Sequence, residues 1–173
     1  MKTIEPQNVK YFIGALFSDA EILDKATELC QAEMGMIDFR SSDFPFDLTN
    51  YYDEEMGLPI FRTFLSFQGL RSPGDLAGLK VLCNDIETKL AIGGARKVNL
   101  DVGYLDFHKL VLASAKYNGQ KIYLDQGIYA DPTLYFEGGR FHSFENTFPD
   151  FKSNTYSEVF LKIRNTYKAQ IKI

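Results

Sequence analysis

The chain has 173 residues, of which 45% are hydrophobic and 24% charged, with a net charge of −4. This is an ordinary globular mix, long enough to bury about 70% of the surface of its unfolded chain. It excludes a membrane-spanning helix, since no window approaches the roughly 20 continuous apolar residues required, and a dense Lys/Arg stripe for general nucleic-acid binding is missing.

The N-terminal MKTIEPQNVKYFIGALF has too short an apolar part for a signal peptide and runs straight into a charged segment. Within it KYFIGALFS (10–18) is apolar and β-rich, a buried strand. Ser18 followed by Glu21 reads as a capping box. Ile22, Leu23, Ala26, Leu29, Cys30 and Met34 follow at helical spacing, and Gly35 ends the helix. MIDFRSS (36–42) is a second strand. A polar, aromatic loop (DFPFDLTNYYDEEMGLP) leads to a third, FRTFLSFQ (61–68), with Arg62, Phe64, Ser66 and Gln68 on one face.

Ser72, Pro73 and Asp75 then open a second helix whose apolar face is Leu76, Leu79, Cys83, Ile86 and Leu90, and Gly93-Gly94 stops it. ARKVNLDV (95–102) is a fourth strand. The order βαββαβ predicts an α+β fold with a ferredoxin-like part over residues 1–102. Residues 103–173 read as a β-meander of hairpins and a C-terminal helix, all within one domain. Asn118-Gly119 and Gly138-Gly139 mark the two hairpins, and Thr155 with Glu158 caps the last helix.

Charge is uneven. Residues 1–55 hold four basic and twelve acidic side chains, and residues 56–173 hold fifteen and eleven. The split fits either an anionic small ligand held by the second part or helix faces that merely solvate with different sign. Cys30 and Cys83 lie on apolar helix faces without metal or disulfide spacing, which points to a reducing, cytoplasmic setting. GDLAGLK (74–80) is one residue short of a phosphate-binding loop and lacks the Ser or Thr after its lysine.

The chemistry-bearing stretch is NLDVGYL (99–105). Asn99 and Asp101 alternate on one strand face beside Gly103, a pattern that suits a cleft. It equally suits an Asx-turn in which Asp101 bonds the backbone as the chain turns at Gly103. On the first reading the cleft collects Glu55, Arg62, Asn99, Asp101 and Lys109. Arg62 and Lys109 hold an anion, Asp101 or Glu55 acts as base or metal ligand, and Asn99 orients the substrate. The expected partner is an anionic metabolite or nucleotide, for a small enzyme or a binding protein. The alternative is a non-catalytic module in which aromatic residues, including those of loop 44–52, contact a protein or single-stranded RNA.

One ordered set of motifs carries a resemblance. YYDEEMG (51–57), SF (66–67), NDIE (84–87), NLDVGYL (99–105), KLVLAS (109–114), GIYAD (127–131) and TFPDF (147–151) span nearly the whole chain. The set resembles a family of uncharacterised bacterial proteins known only as a domain of unknown function, some of whose members carry an automatic GTP-binding label. Val102 stands where that pattern has proline, Asp131 where it has glutamate, and Phe148 and Phe151 where it has tyrosines. The resemblance implies no catalytic residue, and the GTP label has no phosphate loop behind it.

Overall fold

Strand β1 (Val9–Phe17) is buried along all nine residues, which is why it reads as an unbroken apolar run and not as an alternating one. In the computed structural model, which describes residues 1–171, β1 lies between two antiparallel neighbours, β4 (Phe61–Arg71) and β5 (Val98–Leu105). Beyond β4 lies β2 (Ile37–Arg40), and a two-residue β3 (Phe44–Pro45) pairs with the start of β4. Helix α1 (Ala20–Met34) connects β1 to β2 with β4 between them. Helix α3 (Leu76–Lys89) connects β4 to β5 with β1 between them, so two βαβ units interlock. A single turn, α2 (Asp53–Met56), interrupts the loop after β3.

The sheet continues past β5 through β6 (Lys109–Ser114), β8 (Ile128–Glu137) and β7 (Ile122–Asp125), and β9 (Arg140–Ser143) pairs with the far half of β8. One face packs on α1 and α3 through Tyr11, Ile13, Ala15, Cys30, Cys83, Val98, Leu100 and Val102. The other face carries Phe12, Phe64, Leu112 and Leu134. It is covered by a second single turn, α4 (Pro149–Lys152), and by α5 (Ser157–Ile171) through Phe151, Phe160, Ile163 and Tyr167. The fold is α+β, as the order of elements predicts. No helix among the described residues is long and apolar enough to cross a membrane.

Several local expectations change. The cap of α1 is Asp19, whose carboxylate accepts from the N–H groups of Glu21 (2.9 Å) and Ile22 (3.2 Å), while the Ser18 hydroxyl donates to the Met56 carbonyl at 2.6 Å. Thr155 caps nothing: its own N–H reaches the Ser153 hydroxyl, and α5 starts at Ser157. Asn118-Gly119 does turn the chain, with Gly119 at φ 51°, but β6 and β7 are not partners because β8 lies between them. The hairpin is β7–β8, closed by Gln126 and Gly127, both at positive φ as a two-residue hairpin turn of this kind demands. Gly138-Gly139 closes β8–β9 as expected.

NLDVGYL is strand throughout, so the chain does not turn at Gly103. A Cβ on Gly103 would stand 2.6 Å from the Val111 carbonyl oxygen, so glycine serves here to let β6 approach. The Asx-turn belongs to Asp106, whose Oδ1 accepts from the N–H groups of His108 (2.7 Å) and Lys109 (2.9 Å).

Candidate functional site

The β5–β6 ladder runs only from Leu105–Leu110 to Gly103–Leu112. Beyond that point β6 stays with β8 and β5 stays with β1, so the two strands splay and the outer backbone edge of residues 98–102 has no strand beside it. Helix α3 completes that edge. Glu87 Oε1 accepts from the Leu100 N–H at 2.6 Å, and Lys80 Nζ donates to the Leu100 carbonyl at 2.8 Å. Lys80, the lysine of GDLAGLK, thus points into the protein interior and stands in for a strand, together with Glu87.

Two arginines organise the side chains around this wedge. Arg62 is only 4% exposed and lies among Phe46, Phe64 and Phe151. It donates from Nη1 to Asp101 Oδ2 at 2.9 Å and from Nη2 to Asp150 Oδ2 at 3.1 Å. Arg96 grips Glu55 with two bonds of 2.7 Å and donates from Nη1 to Glu87 and Asn99, each at 3.0 Å. Such forked contacts fix direction as well as charge.

Electrostatics divide the two carboxylates that share Arg62. At Asp101 burial opposes ionisation, but the Arg62 and Lys80 cations outweigh it and hold the carboxyl below its ordinary range. At Asp150 burial wins over Arg62, and the nearby Asp101 charge adds to it, so that carboxyl is pushed up. Burial, aided by Asp101, also raises the Tyr52 hydroxyl to about 12. The Arg96 hydrogen bonds lower the Glu55 carboxyl.

Of the five residues expected in one cleft, four meet. Arg62 touches Asp101 directly, and Asn99 and Glu55 join through Arg96. Lys109 does not join them. It pairs with Asp106 at the β5–β6 turn and borders a separate cavity of about 250 Å³ with Pro6, Tyr104 and Phe107. Arg62 sits inside the protein with both Nη groups bound to carboxylates, so it positions Asp101 and is not a free cation. Arg96, Asp150, Lys80 and Glu87 were not foreseen. The signal for Lys80 and Glu87 was present, since two charges seven residues apart flank the apolar stripe of α3.

Two donors inside the cluster, Arg62 Nε and Asn99 Nδ2, are buried without a hydrogen-bond partner. Asp101 keeps 26% of its side chain exposed and uses only Oδ2 towards Arg62. On the rim, Lys97 Nζ reaches only the carbonyls of Glu55 (3.2 Å) and Met56 (3.3 Å). Lys116 reaches the Tyr51 hydroxyl at 3.0 Å and lies 4.8 Å over its ring. Among the described residues neither lysine has a carboxylate partner, and no three His, Cys, Asp or Glu side chains gather as a metal site.

A family model described as "Domain of unknown function (DUF4416)" matches residues 7–167. No curated protein and no solved structure matches the chain.

Proposed function

We propose, for a chain that belongs to this domain-of-unknown-function family, that the wedge between β5 and β6 binds a small anionic metabolite or nucleotide. The observation that carries the reading is the buried Asn99 amide. Its Nδ2 forms no well-aligned hydrogen bond in the protein, and it sits beside Asp101, a carboxylate that Arg62, Lys80 and this amide together hold ionised. Buried donors are almost always satisfied, so an unpaired one beside a part-exposed acceptor suits an external oxygen. Asn99 donates to that oxygen, and Asp101 accepts from a ligand hydroxyl or amino group. Lys97 and Lys116, which among the described residues make no direct ion pair with a carboxylate, face the anionic group.

The chemistry favours binding over acid–base catalysis. A carboxyl held below its ordinary range is an acceptor and a weak base, and Glu55 spends both oxygens on Arg96. The two buried free cysteines support a reducing, cytoplasmic setting.

The test is thermal stabilisation by inorganic phosphate, ribose 5-phosphate, ATP and GTP, repeated on Asp101→Asn and on the Lys97→Ala/Lys116→Ala pair. A ligand at a hundred times its dissociation constant adds about 2.7 kcal/mol. At least one probe is expected to stabilise the parent chain and to lose that effect in the lysine pair. Stabilisation by none of them, or stabilisation that survives in both variants, overturns the reading.

A second reading, a protein-contact surface, has its own support in the exposure of Tyr117, Ile122 and Tyr123 along one sheet edge. Of the aromatics of loop 44–52, Phe44 packs on Tyr156 and Phe46 lies under Arg62, while Tyr51 is exposed. An acidic chain without a basic stripe favours protein over RNA as the partner.

A further inference from the structure

The two ends of the sheet are unlike. At one end is β2, where Asp38 and Arg40 alternate with Ile37 and Phe39 and a bulge breaks the ladder to β4. Charges and bulges are what keep an edge strand from accepting another strand. At the other end is β7, whose ladder to β8 also shifts register, between Tyr123 and Asp125, but whose residues 122–124 carry no charge. Its Ile122, Tyr123 and Leu124 are 61%, 58% and 40% exposed, and the nearby Tyr117 is 72% exposed. Among the described residues nothing pairs with its outer side. Three consecutive apolar side chains on an open edge are a template for strand addition.

We propose that β7 pairs antiparallel with β7 of a second copy of this chain, about a two-fold axis at Tyr123. This rests on the second reading above and is independent of the ligand site. The strand is complementary to itself. Centring the pair on Tyr123 sets Ile122 of each copy opposite Leu124 of the other, on the face where Leu124 borders α3. It sets the two Tyr123 rings opposite each other on the face where each already packs at 5.4 Å on Tyr129. A two-fold contact uses one strand twice and needs no separately matched partner.

Charge complementarity is local: centring the pair on Tyr123 sets Lys121 of each copy opposite Asp125 of the other. Ile122, Tyr123 and Leu124 of each copy supply the apolar part of this contact, which falls at the small end of specific interfaces.

The experiment is sedimentation velocity on the full chain over a concentration series, with Tyr123→Lys and, as a control, Ile92→Lys. Both positions are exposed, so both variants are expected to fold, and far-ultraviolet circular dichroism checks this. The parent chain is expected to form a dimer whose share rises with concentration, and Ile92→Lys to match it. Tyr123→Lys is expected to weaken association at least tenfold while leaving any ligand-induced stabilisation at the β5–β6 wedge unchanged. A parent chain that stays monomeric up to about 100 μM overturns the proposal and leaves the edge to an extended segment of another protein. So does a dimer that Tyr123→Lys leaves intact.

Discussion

Arg62 and Asp101 stand on strands that do not touch, and Gly14 on the strand between them is what lets their side chains meet. β1 separates β4 from β5, and Gly14 lies directly opposite Asp101. The guanidinium crosses over that glycine, donating to its carbonyl at 3.3 Å on the way. A Cβ there would stand 3.0 Å from both Arg62 Nη1 and the Phe64 ring.

Gly14→Val is therefore expected to lower stability by about 1–3 kcal/mol through overpacking, and to do so by displacing Arg62. Urea denaturation measures the loss. A Gly14→Val protein as stable as the parent would show that the ion pair has room to move.

At Gly103 the obstacle is backbone, which cannot rotate away as a side chain can. Gly103→Ala sets its new Cβ against the Val111 carbonyl and should cost at least about 2 kcal/mol. The signature is local, namely faster amide exchange at the three residue pairs that hold β5 to β6.

Leu100 gives the test of helix-for-strand substitution. Glu87→Leu strands the Leu100 N–H and takes the carboxylate from buried Lys80, while Arg96 Nη1 keeps Asn99, for an expected loss of about 3 kcal/mol or more. Lys80→Met frees the carbonyl and also takes a buried cation away from Glu87 (3.9 Å) and Asp101, at about 1–3 kcal/mol. Hydrogen exchange at the Leu100 amide should accelerate in the first variant far more than in the second.

The two carboxylates on Arg62 give opposite pH signatures. Asp101 titrates in the folded protein below its ordinary value of 3.8, so its ionisation favours folding. That contribution is complete above 3.8 and fades as pH falls through the lower folded value. Asp150 titrates above 3.8, so its contribution is present below that value and lost as pH rises through the higher folded one. Asp101→Asn should remove a rise in stability with pH below 3.8, and Asp150→Asn should remove a fall above it. Denaturation midpoints from pH 2 to 7, compared variant by variant, separate the two.

Neighbouring tyrosines should also titrate apart. The Lys116 hydrogen bond lowers the Tyr51 hydroxyl, while burial raises Tyr52 to about 12. In an alkaline absorbance titration Tyr51→Phe should delete the earliest phase and Tyr52→Phe a late one. If the two substitutions remove the same phase, the Lys116–Tyr51 contact does not form in solution.

What the sequence made legible follows from the range of each signal. Continuous apolar runs and periodic stripes are local, and β1, α1, β4 and α3 could be read from them. Asn118-Gly119 shows why the second half could not. Turn chemistry reverses a chain, but which strand the returning segment lies beside depends on β8, which comes later in the sequence. In the site, the period of two put Asn99 and Asp101 on one face from the sequence alone. Asp150 arrives on Arg62 from 88 residues away, on a one-turn helix with no periodic pattern to announce it.

The Lys80–Glu87 clamp has one more consequence, for the rotational phase of α3. Apolar packing is tolerant of sliding, but two hydrogen bonds to the N–H and carbonyl of a single residue are not. Seven positions are about two helical turns, so Lys80 and Glu87 emerge on the same side. Inserting one residue between them would swing one partner by about 100°, freeing Leu100 although every apolar side chain of the helix were still present. The spacing of those two charges, more than the content of the stripe around them, sets where α3 can dock on the sheet.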